Sequence, residues 1–339
     1  MTRRALVTGA AGFIGNHVAL RLLEDGHRVV GFDNLSPYYD VALKRARLER
    51  LTGFADYAHV EGDLCDVPAL RACFSDHGPD RVVHLAAQPG VRFSIEQPQP
   101  YIQSNLVGFA NLLECCRHGT IRHLMFASTS SVYGANTAMP YSEHHACDHP
   151  VSLYAATKKA NEAMAHSYAH LYGIATTGLR FFTVYGEWGR PDMAFFKFTD
   201  AIINGRPIEV HNNGRMSRDF TYVADIVDGI VALLDRPATI DSEWDAGRPD
   251  PASSGVAPYR IYNIGNSRPV DLMRYVEALE ECIGRKATIE FKPMQPGDVA
   301  DTWADCTDLA ETIGYSPSTP VEEGLANFVA WYKSYYRVN

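Results

Sequence analysis

The sequence has no run of about 18 uncharged apolar residues, the length a membrane-crossing helix requires, and its start "MTRRALVTG" reaches Gly9 after only a few apolar residues. That opening is too short for the apolar core of a signal peptide. A soluble, cytoplasmic protein is therefore expected. The sequence also lacks any C-x-x-C pair. Its seven cysteines are scattered, odd in number and include the neighbours Cys115 and Cys116. A disulfide framework or zinc site is not expected, and free thiols in a reducing compartment fit the pattern. Basic residues are in deficit, with 31 Lys and Arg against 40 Asp and Glu and a net charge of −9. A phosphate-rich surface would repel such a chain, which argues against nucleic-acid or membrane binding. A small anionic ligand held by a few local arginines remains open. No internal repeat is present.

What is present suffices for a large core. The 339 residues are 46% hydrophobic, enough for one large α/β domain and a smaller one. In the first half, strand-like runs ("RALVTG", "RVVGFD", "YAHVEGD", "RVVHLAA", "RHLMFAS") alternate with helical patterns. In "FIGNHVALRLLEDG", Ile14, Val18 and Leu22 recur every fourth residue and Gly26 can end the helix. Repeated β-α-β units predict a doubly wound parallel sheet of the Rossmann type, with helices on both faces. "TTGLRFF" and "RIYNIG" read as later strands of that sheet.

After Phe182 the alternation fails. "TVYGEWGRPDMAFF" and "HNNGRMSRDFTYV" are turn-rich, as segments lining a cleft are, and the last seventy residues read as helices with one strand, "ATIEFK". The expected division is a dinucleotide-binding domain over residues 1–182 and 222–267, and a smaller C-terminal substrate-binding α/β lobe over 183–221 and 268–339. Residues 241–258, rich in Pro, Gly, Asp and Ser, read as a mobile surface insertion.

"LVTGAAGFIG" places Gly9, Gly12 and Gly15 between a strand and a helix. Absent side chains let a pyrophosphate reach the backbone, and the helix behind offers free N–H groups and the positive end of its dipole. Phe13 and Ile14 lie at that helix start. Asp33 ends the second strand, followed by Asn34. A carboxylate there accepts hydrogen bonds from a ribose hydroxyl and repels a 2′-phosphate, so NAD is expected rather than NADP.

In "SLYAATKKANEA", Tyr154 and Lys158 lie one turn apart on one helix face. Alone, that spacing equally suits a half-buried tyrosine beside a lysine stem. The G-x-x-G-x-x-G spacing, with "EGDL" (Asp63, Leu64), "HLAAQ" (Ala86, Ala87) and the Tyr154–Lys158 pair, resembles the extended short-chain dehydrogenase/reductase superfamily over nearly the whole chain. The resemblance implies that Asp63, Leu64, Ala86 and Ala87 surround the adenine and inner ribose, and that Thr129 in "FASTSSVYG" is the catalytic hydroxyl. Ser128 and Ser130 are alternatives, and Ser131 is placed to bond the sugar. Tyr154 would act as a proton acceptor and Lys158 would bind the nicotinamide ribose. Bringing a phenol pKa from about 10 toward 7 takes about 4 kcal/mol. A cation about 4 Å away at an effective dielectric near 20 supplies that much. Lys158 and the oxidised nicotinamide are the expected sources.

Ser130 and Ser131 follow Thr129 where related dehydratases carry Asp-Glu and related decarboxylases a glutamate. Oxidation at a sugar carbon and return to its other face is therefore expected, as in an epimerase. "LRFFTVYGEWGRPDMAFF", "DNLSPYYDVALKRARLERL" and "MQPGDVADTWAD" closely resemble the UDP-glucuronate 4-epimerases of the NAD-dependent epimerase/dehydratase family. That resemblance implies carboxylate recognition by Thr183 and Arg190. A hydroxyl and a guanidinium suit an anionic C6 group. Arg92 and Arg218 are candidates for the UDP phosphates or the carboxylate, and Asp298 for the nucleotide ribose. Gln295 stands where galactose-type 4-epimerases have arginine, Pro89 replaces an alanine, and Glu187 replaces a proline and is expected to face solvent. A homodimer through the helices of "YIQSNLVGFANLLECC" and Tyr154 is implied by the same resemblance.

Overall fold

The computed structural model describes residues 3–295 and 297–338; Pro296, within the motif "MQPGDVADTWAD", lies outside them. Six strands form in succession: β1 (Arg4–Thr8), β2 (Arg28–Asp33), β3 (Tyr57–Glu61), β4 (Arg81–His84), β5 (His123–Thr129) and β6 (Thr176–Phe181). The next three, β7 (Thr183–Tyr185), β8 (Ile208–Val210) and β9 (Ser217–Tyr222), leave the sheet, and β10 (Tyr259–Ile264) returns to it. The seven-stranded sheet has the order β10-β6-β5-β4-β1-β2-β3, and all its pairings are parallel. The order reverses between β1 and β4, which opens a crevice at their carboxyl ends, where doubly wound sheets bind ligands.

The sheet is buried on both faces, as a parallel sheet with crossover helices must be. Val7, Val83 and Met125 share one core with Val18 and Leu22 of helix Phe13–Glu24 and Ile230 of helix Val223–Leu234. Their sequence neighbours Leu6, Val82 and Leu124 share the other with Leu112 of helix Gly108–His118 and Ala165 of helix Leu153–Tyr172. The two-residue strand period is what splits them. Helix Leu153–Tyr172 is started by Ser152, whose side chain accepts from the Ala155 N–H at 3.1 Å, and ended by Gly173 in the left-handed conformation at φ +66°.

The smaller lobe packs around a third core, where Phe220 and Tyr275 stack at 3.9 Å and Phe195 meets Phe328 edge-on at 4.8 Å. Two readings of the sequence need correction here. "SRDFTY", taken for a turn-rich stretch, is β9, which pairs with β7, β11 (Pro269–Asp271) and β13 (Asp301–Thr302). The last seventy-odd residues hold these two strands as well as the expected β12 (Ile289–Phe291), which joins β8. Strands of two or three residues are too short to show a period. Residues 241–258 contain no helix or strand. Ala252, Ser254 and Ala257 are nonetheless buried, and the Ala252 carbonyl accepts from the Ile261 N–H at 2.8 Å, at the edge of β10.

Candidate active site

A cavity opens at the carboxyl ends of the central strands. Gly9, Gly12, Phe13, Ile14, Gly15, Asp33, Asn34, Asp63, Leu64, Ala86 and Ala87 all line it, and so do Thr129, Tyr154, Lys158 and Arg190. The glycine loop has no room for side chains. Gly9 sits at φ +74°, and a Cβ there would meet the Ala86 nitrogen at 2.8 Å; one on Gly12 would meet the Gly9 carbonyl oxygen at 2.8 Å. Helix Phe13–Glu24 follows with no side-chain cap on its first turn, so its leading N–H groups are left for a ligand. Asp33 is oriented by the backbone, accepting from the Ala11 N–H at 3.0 Å and the Leu35 N–H at 2.9 Å. Asn34 donates to Asp63 at 2.8 Å, beyond the ends of the paired strands β2 and β3.

Tyr154 and Lys158 project from the helix into this cavity, and Thr129 ends β5 beside them. The Thr129 hydroxyl accepts from the Ser131 N–H at 3.2 Å and lies 3.3 Å from the Ser131 hydroxyl. Lys158 is buried and donates to the Ala127 carbonyl at 2.9 Å; burial pushes its ammonium pKa down to about 8. Burial raises the Tyr154 phenol, with a partial offset from the Arg190 charge and a hydrogen bond with Thr129. The Lys158 ammonium bonds to the β5 backbone, and the charge that partly offsets the burial of Tyr154 in the cofactor-free protein is that of Arg190.

The support beneath is polar. Ser128 donates to Glu162 at 2.7 Å, and Glu162 forms a two-point ion pair with Arg180, both contacts 2.9 Å. Glu162 lies four residues beyond Lys158 on the same helix, so this pair clamps the helix to β5 and β6. A single π turn, Ile102–Val107, lies alongside. Its Asn105 holds Gln88 by two backbone bonds of 2.8 and 3.1 Å and reaches Thr157 at 3.1 Å.

The substrate candidates fall into separate groups. Arg190 lines the cavity, its Nε and Nη2 bonded to Asp192 at 3.0 and 2.6 Å. Ser131 and Thr183 are not among the lining residues; one lies in the turn after β5 and the other opens β7. Arg92, Arg218 and Asp298 gather outside the lining: Arg92 pairs with Asp298 at 3.1 Å, and Arg218 donates to the Val299 carbonyl at 2.6 Å and the Ala300 carbonyl at 2.5 Å. Glu187 is a further correction. It does not stand free in solvent; it is half-buried, and both its carboxylate oxygens lie 2.8 Å from the Tyr222 hydroxyl. Gln295 contacts His211 at 2.7 Å, away from the cavity.

Residues 5–265 match the model of the NAD dependent epimerase/dehydratase family. The chain belongs to this family. Among its relatives, UDP-glucuronate 4-epimerase 1 of Arabidopsis thaliana is 48% identical over 339 residues, covering 98% of this chain and 77% of that protein. The solved UDP-glucuronic acid 4-epimerase of Bacillus cereus, in complex with UDP-glucuronic acid and NAD, superposes with a TM-score of 0.85 at 32% identity, covering 98% of this chain and 99% of that one. A UDP-glucose 4-epimerase of Thermotoga maritima, solved with UDP-glucose, gives a TM-score of 0.84 at 29% identity over 98% and 99% of the two chains. The fold alone therefore does not separate charged from neutral sugars, and that choice rests on side chains.

The family's cofactor fits the cavity. The side-chain-free loop, the uncapped helix start and the oriented Asp33 are what a dinucleotide needs, and a further cation stands ready. Lys44 is buried on the cavity wall, 4.6 Å above the Tyr39 ring, with Asp33 raising and burial more strongly lowering its pKa. Sequence reasoning missed Lys44, Tyr38, Gln88 and Asp192. Lys44 had a usable signal, since it lies in "DNLSPYYDVALKRARL" directly after the acidic strand end. The other three are recognisable only by their contacts. Among the described residues no cluster of metal-ligating side chains occurs, and no helix is long and apolar enough to cross a membrane.

Proposed function

We propose that this family member reversibly epimerises C4 of UDP-glucuronate to give UDP-galacturonate, through a 4-keto sugar, with NAD bound throughout the cycle. Bound NAD supplies the oxidant for the sugar carbon and the reductant for its return. Thr129 positions the C4 oxygen, Tyr154 accepts and later returns its proton, and Lys158 holds the nicotinamide ribose. Turning the flat ketone over between the two half-reactions inverts the centre with no net redox change. No acid or base follows Thr129, only Ser130 and Ser131, so water elimination has no apparatus here.

The observation carrying the substrate assignment is Arg190, whose guanidinium faces the same cavity as Tyr154 and Lys158. A half-buried cation beside Tyr154 favours a carboxylate at C6 over a hydroxymethyl group. Ser131 and Thr183 are the accompanying hydroxyls. Arg92, Arg218 and Asp298 would hold the UDP moiety across the mouth, and Lys44 the cofactor's pyrophosphate. The lobes would divide at 1–182 with 222–267 and 183–221 with 268–339. A cytoplasmic homodimer completes the proposal, supported by the exposed apolar Val107, Leu171 and Tyr172 on the helices around Tyr154.

The test is NMR of the sugar anomeric protons after incubation with UDP-glucuronate, UDP-galactose or a UDP-pentose, for wild type and Tyr154→Phe. Appearance of UDP-galacturonate with wild type, and its loss in the variant, is expected. Turnover of UDP-galactose alone would move the assignment to neutral sugars, and carbon dioxide release would make the protein a decarboxylase. Equal rates for both proteins would leave a nucleotide-binding regulator as the reading.

A further inference from the structure

A guanidinium has two edges able to grip a carboxylate, Nε with Nη2 and Nη1 with Nη2. In Arg190 the first edge is taken by Asp192, at 3.0 Å from Nε and 2.6 Å from Nη2. Among the described residues Nη1 makes no hydrogen bond, while the side chain lines the cavity. We propose that Asp192 is a positioning residue for substrate specificity: it grips Arg190 by one edge so that the other edge meets the C6 carboxylate of the sugar. The proposal rests on the uronate reading given above.

The surroundings make Asp192 a fixed anchor. It lies two residues after Arg190 in a turn closed by the Met193 N–H to Arg190 carbonyl bond at 3.2 Å, and Pro191 between them restricts the backbone. Tyr38, from the segment after β2, donates to Asp192 at 3.2 Å and packs at 5.0 Å against Phe93. Burial opposes ionisation of Asp192, but Arg190 and Tyr38 outweigh it and hold the carboxyl below its ordinary value. Asp192 thus remains an anion over the working range. An arginine side chain without such a partner is free to change rotamer and would present its free edge only part of the time. The alternative, that Asp192 occupies the substrate's place and must be displaced, predicts the opposite sign.

Calorimetric titration of the NAD-loaded protein with UDP-glucuronate, UDP-glucose and UDP separates these. Wild type is expected to prefer the uronate; absence of that preference would defeat the substrate reading itself. In Asp192→Ala the preference should fall by about tenfold, the worth of one charge-assisted hydrogen bond, with UDP affinity and bound NAD unchanged. Asp192→Asn, which keeps an acceptor, should recover part of the loss. Tyr38→Phe, which leaves the ion pair and removes only the anchor, should lower the preference less. In turnover the effect should appear in KM for UDP-glucuronate more than in kcat. An unchanged preference in Asp192→Ala would make the pair incidental, and a raised one would make Asp192 a competitor; either overturns the proposal.

Discussion

Replacing Lys158 by methionine is expected to stabilise the cofactor-free protein at neutral pH while abolishing turnover. Lys158 is 2% exposed, and among the described residues its ammonium makes one hydrogen bond, to the Ala127 carbonyl at 2.9 Å, and pairs with no carboxylate. Burial depresses its pKa from 10.5 to about 8. At about 1.4 kcal/mol per pH unit, that gap is a penalty of about 3 kcal/mol on the folded state. The sign follows from linkage. Between about pH 8 and pH 10.5 the unfolded chain binds more protons at this site, so stability rises with pH; below pH 8 the penalty is complete. Methionine removes the charge, keeps most of the volume and forfeits one hydrogen bond worth about 1 kcal/mol. The net gain at pH 7 is therefore about 2 kcal/mol, shrinking to nothing and then reversing as the wild-type lysine deprotonates. Urea unfolding of both proteins at pH 7 and pH 10, after removal of NAD, reads the difference, and comparing the two proteins cancels every other titrating group. A variant less stable than wild type at pH 7, or a difference that ignores pH, would refute the reasoning.

The remaining predictions concern the frame around the site. Glu162→Gln strands Arg180 beneath β5 and β6, where both partners are almost wholly buried (3% and 0% exposed); removing one partner should cost about 3–5 kcal/mol, read as a fall in Tm. A loss below about 1 kcal/mol would place the pair among ordinary surface contacts. Gly12→Ala puts a Cβ 2.8 Å from the Gly9 carbonyl oxygen and should leave a folded protein that releases little NAD on denaturation; full NAD content would mean that the loop is not the pyrophosphate cradle.

The central sheet was legible because its strands are short apolar runs, several ending in small or acidic residues, and helix Phe13–Glu24 between the first two shows a four-residue period. Even β10 could be recognised from "RIYNIG", some eighty residues after β6. The small lobe was not. β9 carries Arg218 and Asp219 within six residues, and its stability comes from neighbours on β7, β11 and β13 that are distant in sequence. The glycine loop and the Tyr154–Lys158 pair are local patterns, and patterns can be read. The Arg190–Asp192–Tyr38 cluster joins residues 154 positions apart, and nothing in "PYYD" predicts that its first tyrosine reaches across the cavity. Glu187 was misjudged for the same reason, since its partner Tyr222 lies in the misread segment.

Two cations, Lys158 and Arg190, line the cavity beside Tyr154 in the cofactor-free protein. Lys158 donates one hydrogen bond to the β5 backbone and lines the cavity, with no carboxylate paired to it among the described residues. Arg190 is the cation that offsets the burial of Tyr154, and the offset is incomplete, leaving the phenol above its ordinary value. At pH 7 the cofactor-free protein therefore holds a neutral tyrosine, unable to accept a proton from a sugar. Reaching the working range from above 10 requires more than about 4 kcal/mol, comparable to one further cation about 4 Å away at an effective dielectric near 20. An oxidised nicotinamide carries that charge, whereas the reduced ring does not. In the proposed cycle Tyr154 would therefore be readied as a base while an oxidised ring is in place, and would keep its proton for return once the sugar has been oxidised.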